Sequence, residues 1–141
     1  MDNRPIGVFD SGLGGLTTVR QVMQVMPGED IIYFGDTGRV PYGNRSRETI
    51  IRYTKEDIEF LLKHDIKLII AACGTASSVA LPSLAGKYDI KIMGVLESAC
   101  HEALRLTKNN RIGVIGTSVT VKSGKYGEII RGISPKAEVF S

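Results

Sequence analysis

The stretch KLIIAACGTASS, residues 67–78, decides how the rest of this chain folds. Its first half is apolar with no polar alternation, as a parallel strand covered on both faces requires. The run ends at a thiol, Cys73, and small residues from Gly74 to Ser78 then open a helix near Thr75. A strand that passes directly into a helix is the front half of a βα unit. Four further apolar runs repeat the pattern: PIGVFD (5–10), DIIYFG (30–35), KIMGVLE (91–97) and RIGVIGT (111–117).

Amphipathic stretches separate these runs. Residues 15–26 place Leu16, Val19, Met23 and Met26 on one helical face. Residues 46–64 place Ile50, Tyr53, Asp57 or Ile58, and Leu61 along one stripe, with Ser46 as the cap. Residues 97–107 form a third helix, and 118–132 begin weakly and become helical late. The alternation βαβα predicts an α/β fold, a parallel sheet with right-handed crossovers and helices on both faces. AEVF (137–140) reads as a sixth strand where the sequence stops, so a piece of a longer chain is expected.

Composition narrows the function classes. The chain has 141 residues, a net charge of +3 and 43% hydrophobic residues, enough for a real core. Its basic residues are scattered, without a basic stripe interleaved with aromatics, so nucleic acid is not an expected partner. Cys73 and Cys100 do not make a disulfide framework and suit a reducing compartment. The charged N-terminus is not a signal peptide, and no run approaches the ~20 apolar residues that span a membrane. A cytoplasmic protein is expected. Neither cysteine, His64, His101 nor any carboxylate has metal-ligand spacing, so no metal is expected.

In open α/β sheets, ligands bind beyond the carboxyl ends of the strands. Four such ends carry polar chemistry: DSGLGG (10–15), DTGRVPYG (36–43), CGTASS (73–78) and GTSVT (116–120). The glycines after Asp10 fit neither the dinucleotide fingerprint, which needs glycine where Thr17 stands, nor a P-loop. They read as a tight turn whose free N–H groups face a ligand anion. Cys73 at a helix N-terminus feels the positive end of the dipole, which favours the thiolate, a nucleophile or a base. The alternative for Cys73 is an inert small hydrophobe in the core. Cys100, inside a helix, reads as packing.

Taken together, IGVFDSGLGGLT, IIYFGDTGRVPYG, LIIAACGTAS, GVLE and RIGVIGTSVTVKSGKY resemble the glutamate racemase family of the aspartate/glutamate racemase superfamily, in order and spacing over nearly the whole chain. The resemblance implies a three-layer parallel-sheet sandwich, here truncated: residues 1–97 as a first α/β domain and 98–141 as the start of a second. It implies interconversion of L- and D-glutamate for peptidoglycan, with no pyridoxal phosphate and no metal, by two cysteines on opposite faces of the α-carbon. Cys73 matches the cysteine that acts on D-glutamate. Asp10 and Ser11 match residues beside that thiol and the substrate amino group. Pro41, Tyr42 and Gly43 match the loop whose backbone N–H groups hold a carboxylate. Thr75 matches a hydroxyl donor to the substrate, and Thr117 a further pocket residue.

Two departures qualify what the resemblance implies. Gly74 stands at a substrate-contacting position where the family carries an asparagine whose amide reaches the substrate, and the motif of the second cysteine lies beyond Ser141. Racemisation by these 141 residues alone is therefore not expected. A racemase for aspartate and a non-catalytic binding remnant stand as alternatives. Exposed sheet edges favour association, a homodimer being the expected form.

Overall fold

The computed structural model describes residues 2–141. Four parallel strands form the main sheet: β1 (Ile6–Asp10), β2 (Ile31–Gly35), β3 (Leu68–Ala71) and β4 (Lys91–Gly94), in the order β2-β1-β3-β4. The central pair is β1 and β3, so the chain reverses its winding direction beside β1. The helices are α1 (Leu16–Val25), α2 (Arg47–Leu61), α3 (Leu81–Leu84), α4 (Leu96–Leu106), α5 (Ser118–Lys122) and α6 (Lys125–Ile133). Two short strands, β5 (Arg111–Gly113) and β6 (Glu138–Phe140), pair in parallel as a separate sheet.

The period-2 geometry of β1 sorts its side chains between two layers. Ile6 and Val8 pack with Val22 of α1 and with Ile70 and Ala72. Phe9 packs on the other side with Ile50, Ile58 and Leu61 of α2, and with Ile69 and Val79. This is the three-layer arrangement that the apolar runs predict. Ser46 caps α2, accepting from the Thr49 N–H. A third cluster of Cys100, Ile130 and Ala137 packs with Ile112 and Val139 of the second sheet.

Three expectations are corrected. On α1 the buried residue is Val22, whereas Leu16, Met23 and Met26 are exposed. Turning the helix toward Val22 still buries a stripe, but a different one. The strands after β2 also end early: β3 stops at Ala71, β4 at Gly94 and β5 at Gly113. Finally, β4 is not covered on both faces. It is an edge strand whose Lys91 and Met93 face solvent while Ile92 and Gly94 face inward.

Helix begins at Gly74, directly after Cys73, and runs through a π-helical segment, Ala76–Ala80, into α3. Pro82 explains the irregularity. It has no N–H for the Ser78 carbonyl, and Leu81 bonds five residues back to Ala76. Gly124, at φ 66°, separates α5 from α6, where a single late helix is predicted.

Candidate active site

Asp10 and Cys73 sit at the carboxyl ends of adjacent strands. The ladder continues past each strand: the Ala72 N–H donates to the Phe9 carbonyl and the Asp36 N–H to the Asp10 carbonyl. Cys73 follows Ala72 directly, so its sulfur emerges beside the loop after β1. Sγ lies 3.4 Å from Ser11 Oγ and accepts from the Ala76 N–H at 3.4 Å. Cys73 is only 5% exposed, yet its sulfur contacts two polar groups. The thiol is thus buried as a core residue would be, with its sulfur turned toward polar atoms at the strand end. The Ala76 N–H is one of the orphan donors of a helix N-terminus, and it points at the atom that would carry negative charge.

The loop after β1 wraps around Asp10. The Gly12 N–H donates to Asp10 Oδ2 at 3.0 Å, and Tyr33 Oη donates to the Gly12 carbonyl at 2.8 Å. Gly15 is fixed by space: a Cβ there would lie 2.7 Å from Asp10 Cβ and 3.0 Å from Ala72 Cβ. This corrects the expectation of an anion-binding turn. The Gly12 N–H is turned inward onto a carboxylate, which puts an acidic group beside the turn. An ammonium group suits that position better. Burial, then the charges of Asp10 and Cys73, pushes the Tyr33 phenol above its ordinary value.

Three hydroxyls form a triangle. Thr75 Oγ1 lies 3.2 Å from Thr117 Oγ1 and 3.1 Å from Thr120 Oγ1, and the last two are 2.9 Å apart. Thr117 caps α5, accepting from the Thr120 N–H. Thr120 was not singled out in the sequence. Its signal was the spacing T-x-x-T after a strand end, which puts the second hydroxyl one turn above its own cap. Each hydroxyl donates one proton and accepts two, so the three contacts of the closed triangle use all three protons, and a hydroxyl that turns toward an anion opens one side of it.

Gly43 joins the two halves of the site. A Cβ on it would lie 2.4 Å from both Cβ and Cγ2 of Thr117. The turn Tyr42–Asn44 is thereby pressed against the start of α5, and its first N–H groups have no helical partner. Pro41 precedes it, exposed. The Tyr42 side chain, by contrast, is 1% exposed, within hydrogen-bond distance of Asp36 and Asp57. Gly74 leaves room for a side chain, since a Cβ there would meet only Tyr126 Oη, at 3.6 Å. Burial, then the charges of Cys100 and Cys73, raises the Tyr126 phenol. Cys100 lies in the third cluster with Sγ 3.8 Å from the Tyr126 carbonyl, and burial raises its thiol further. It is packing, not a second base.

A thiol, a carboxylate, a hydroxyl triangle and a turn with free N–H groups lie at or just beyond the strand ends of an α/β protein, the place where such sheets bind small ligands. The chain belongs to the Asp/Glu/Hydantoin racemase family, which it matches over residues 16–138. It is 47% identical to a glutamate racemase of Geobacter metallireducens over 98% of its own length and 51% of the relative's, and 48% identical to one of Aquifex aeolicus over 96% and 53%. Among solved structures, a glutamate racemase from Bacillus anthracis superposes with a TM-score of 0.95 at 36% identity, covering 100% of this chain and 53% of that one. One from Francisella tularensis, in complex with D-glutamate, superposes at 0.90 with 42% identity, covering 100% and 53%. The chain thus spans about half the length of the relatives it matches. Among the described residues, no helix is long and apolar enough to cross a membrane.

Proposed function

We propose that this chain carries the D-glutamate-side half of a cofactor-independent glutamate racemase that supplies D-glutamate for peptidoglycan. The observation that carries the proposal is Cys73 Sγ between Ser11 Oγ and the Ala76 N–H, at the end of the strand next to Asp10. In this reading the Cys73 thiolate takes the α-proton of D-glutamate. Ser11 and the Ala76 N–H hold the sulfur in place. Asp10 receives the substrate ammonium. The N–H groups of Tyr42 and Gly43, with Pro41 shaping the turn, and the hydroxyls of Thr75, Thr117 and Thr120 hold the carboxylates. Donors fixed in advance around developing carbanion charge supply most of the rate gain in such chemistry. Gly74 removes one further donor.

Racemisation needs a proton delivered on the opposite face. The chain has two cysteines, and the second, Cys100, is buried away from the site. We therefore assign proton abstraction to these residues and full racemisation to a longer protein. The division into residues 1–97 and 98–141 fits the two separate sheets, with the substrate between Cys73 and Thr117. Glutamate rather than aspartate is favoured by relatives that are glutamate racemases. A cytoplasmic location fits two free thiols, and a homodimer fits the open edge of β4. Isothermal titration of the chain with D-glutamate and D-aspartate tests the reading. Measurable binding of D-glutamate, weakened by Asp10→Ala, supports it; absence of binding to either overturns it.

A further inference from the structure

Tyr42 Oη lies 2.5 Å from Asp36 Oδ2 and 2.7 Å from Asp57 Oδ2. Counting protons makes this arrangement informative. A phenol has one proton, and an ionised carboxylate has none. One of the two contacts is a hydrogen bond from Tyr42; the other is attractive only if the carboxyl itself brings a proton. Two carboxylate anions held against one donor would leave oxygen lone pairs facing each other. Tyr42 is 1% exposed and Asp57 fully buried, so no water relieves that repulsion.

The remaining contacts locate the extra proton. Asp36 Oδ2 also accepts from Arg39 Nε at 2.6 Å, so this oxygen faces a charged donor as well as the phenol. Asp57 Oδ1 accepts from Arg39 Nη2 at 2.9 Å, while its Oδ2 meets the phenol alone. Burial is the largest influence on Asp57 and pushes its carboxyl up to about 7. The other charged or titratable groups around this cluster are Glu56, which pairs with Arg39 from the solvent side, Tyr53, whose ring centroid lies 4.3 Å from the Arg39 guanidinium, and Arg52, 4.0 Å from Glu56 and 5.2 Å from the Tyr53 centroid. We propose that Asp57 is held as the neutral acid, donates to Tyr42 Oη while Tyr42 donates to Asp36, and so acts as a positioning residue that fixes the turn Pro41–Gly43 for the substrate carboxylate. The positioning part rests on the function proposed above; the proton assignment does not.

The experiment pairs infrared spectroscopy with binding, on the whole chain. Near pH 6, wild type shows the C=O stretch of a protonated carboxylic acid, shifted in D2O and missing from Asp57→Asn. Asp57→Asn keeps a donor toward Tyr42 Oη at every pH, and Tyr42→Phe removes the shared oxygen. Wild-type affinity for D-glutamate falls about fivefold, the worth of one hydrogen bond, between about pH 6 and about pH 8.5, beyond any change seen in Asp57→Asn. At the higher pH, Asp57→Asn binds about fivefold more tightly than wild type. Tyr42→Phe binds weakly throughout. A wild-type spectrum without that band overturns the proton assignment whatever the function. A band with parallel pH profiles in wild type and Asp57→Asn overturns the positioning role. Absence of D-glutamate binding at every pH overturns the positioning role and the function together, while the band still decides the proton.

Discussion

Gly43→Ala is the substitution whose outcome the geometry constrains most tightly. The added Cβ would lie 2.4 Å from Thr117 Cβ and Cγ2 and 3.0 Å from Thr117 Oγ1. Carbon atoms in good packing stand roughly 3.5–4.0 Å apart, so more than ~1 Å of separation must open between the turn and α5. Thr117 cannot yield freely. Its hydroxyl caps α5 and bonds to Thr75 and Thr120, so moving it disturbs three contacts. Overpacking of this kind costs about 1–3 kcal/mol. Urea unfolding of Gly43→Ala is expected to show that loss as a lower midpoint with an unchanged slope. Gly38→Ala is the control: nothing lies within 4 Å of its Cβ position, and a change within ~0.5 kcal/mol is expected. Thr117→Gly removes the clashing atoms together with the cap and the bonds to Thr75 and Thr120, and it should recover part of the stability lost in Gly43→Ala. If Gly43→Ala and Gly38→Ala unfold alike, or if Thr117→Gly adds its own loss without rescue, the contact that joins the two halves of the site is not as described.

Three further outcomes are expected. Thr54 is fully buried in α2 and its Oγ1 has no hydrogen-bond partner among the described residues; Thr54→Val, of the same shape, should stabilise the chain by about 1 kcal/mol in denaturant unfolding. Asp57, with its folded value raised from 3.8 to about 7, binds a proton that the unfolded chain lacks between those values, so stability is fully present below the lower value and is lost as pH rises through the higher. The total is about 4 kcal/mol, flat above the upper value, and Asp57→Asn should remove it from a pH series of urea curves. Gly74→Asn meets only an ordinary contact with Tyr126 and should fold with stability within ~1 kcal/mol of wild type while binding D-glutamate more tightly by calorimetry.

Much of this was legible in the residues alone, for physical reasons. Parallel strands buried on both faces show as unbroken apolar runs, and that marks β1 and β3 as the centre of the sheet, although the run at β3 extends two residues past the strand's end at Ala71. The edge strand β4 was over-read because its run KIMGVLE is as apolar as theirs, although only one face is covered. On α1, Val22 and Met23 are adjacent, and apolar spacing alone does not decide which of two overlapping stripes turns inward. The polar residues at the strand ends converge, as topology requires, but their partners were hidden. Asp57 lies on α2 and meets Asp36, Arg39 and Tyr42 only through tertiary folding. In sequence it was one of two neighbours competing for a place on an apolar stripe. Both are buried: Ile58 in the core, Asp57 against the phenol.

The account turns on Cys73 acting as a base toward one enantiomer. Incubating the chain in D2O with D-glutamate or L-glutamate and following the α-proton by NMR measures that step directly, without any second base. Deuterium should enter D-glutamate and not L-glutamate, with no net racemisation, and Cys73→Ala should abolish the exchange. Exchange that survives Cys73→Ala, or exchange of L-glutamate alone, would contradict the assignment of this sulfur.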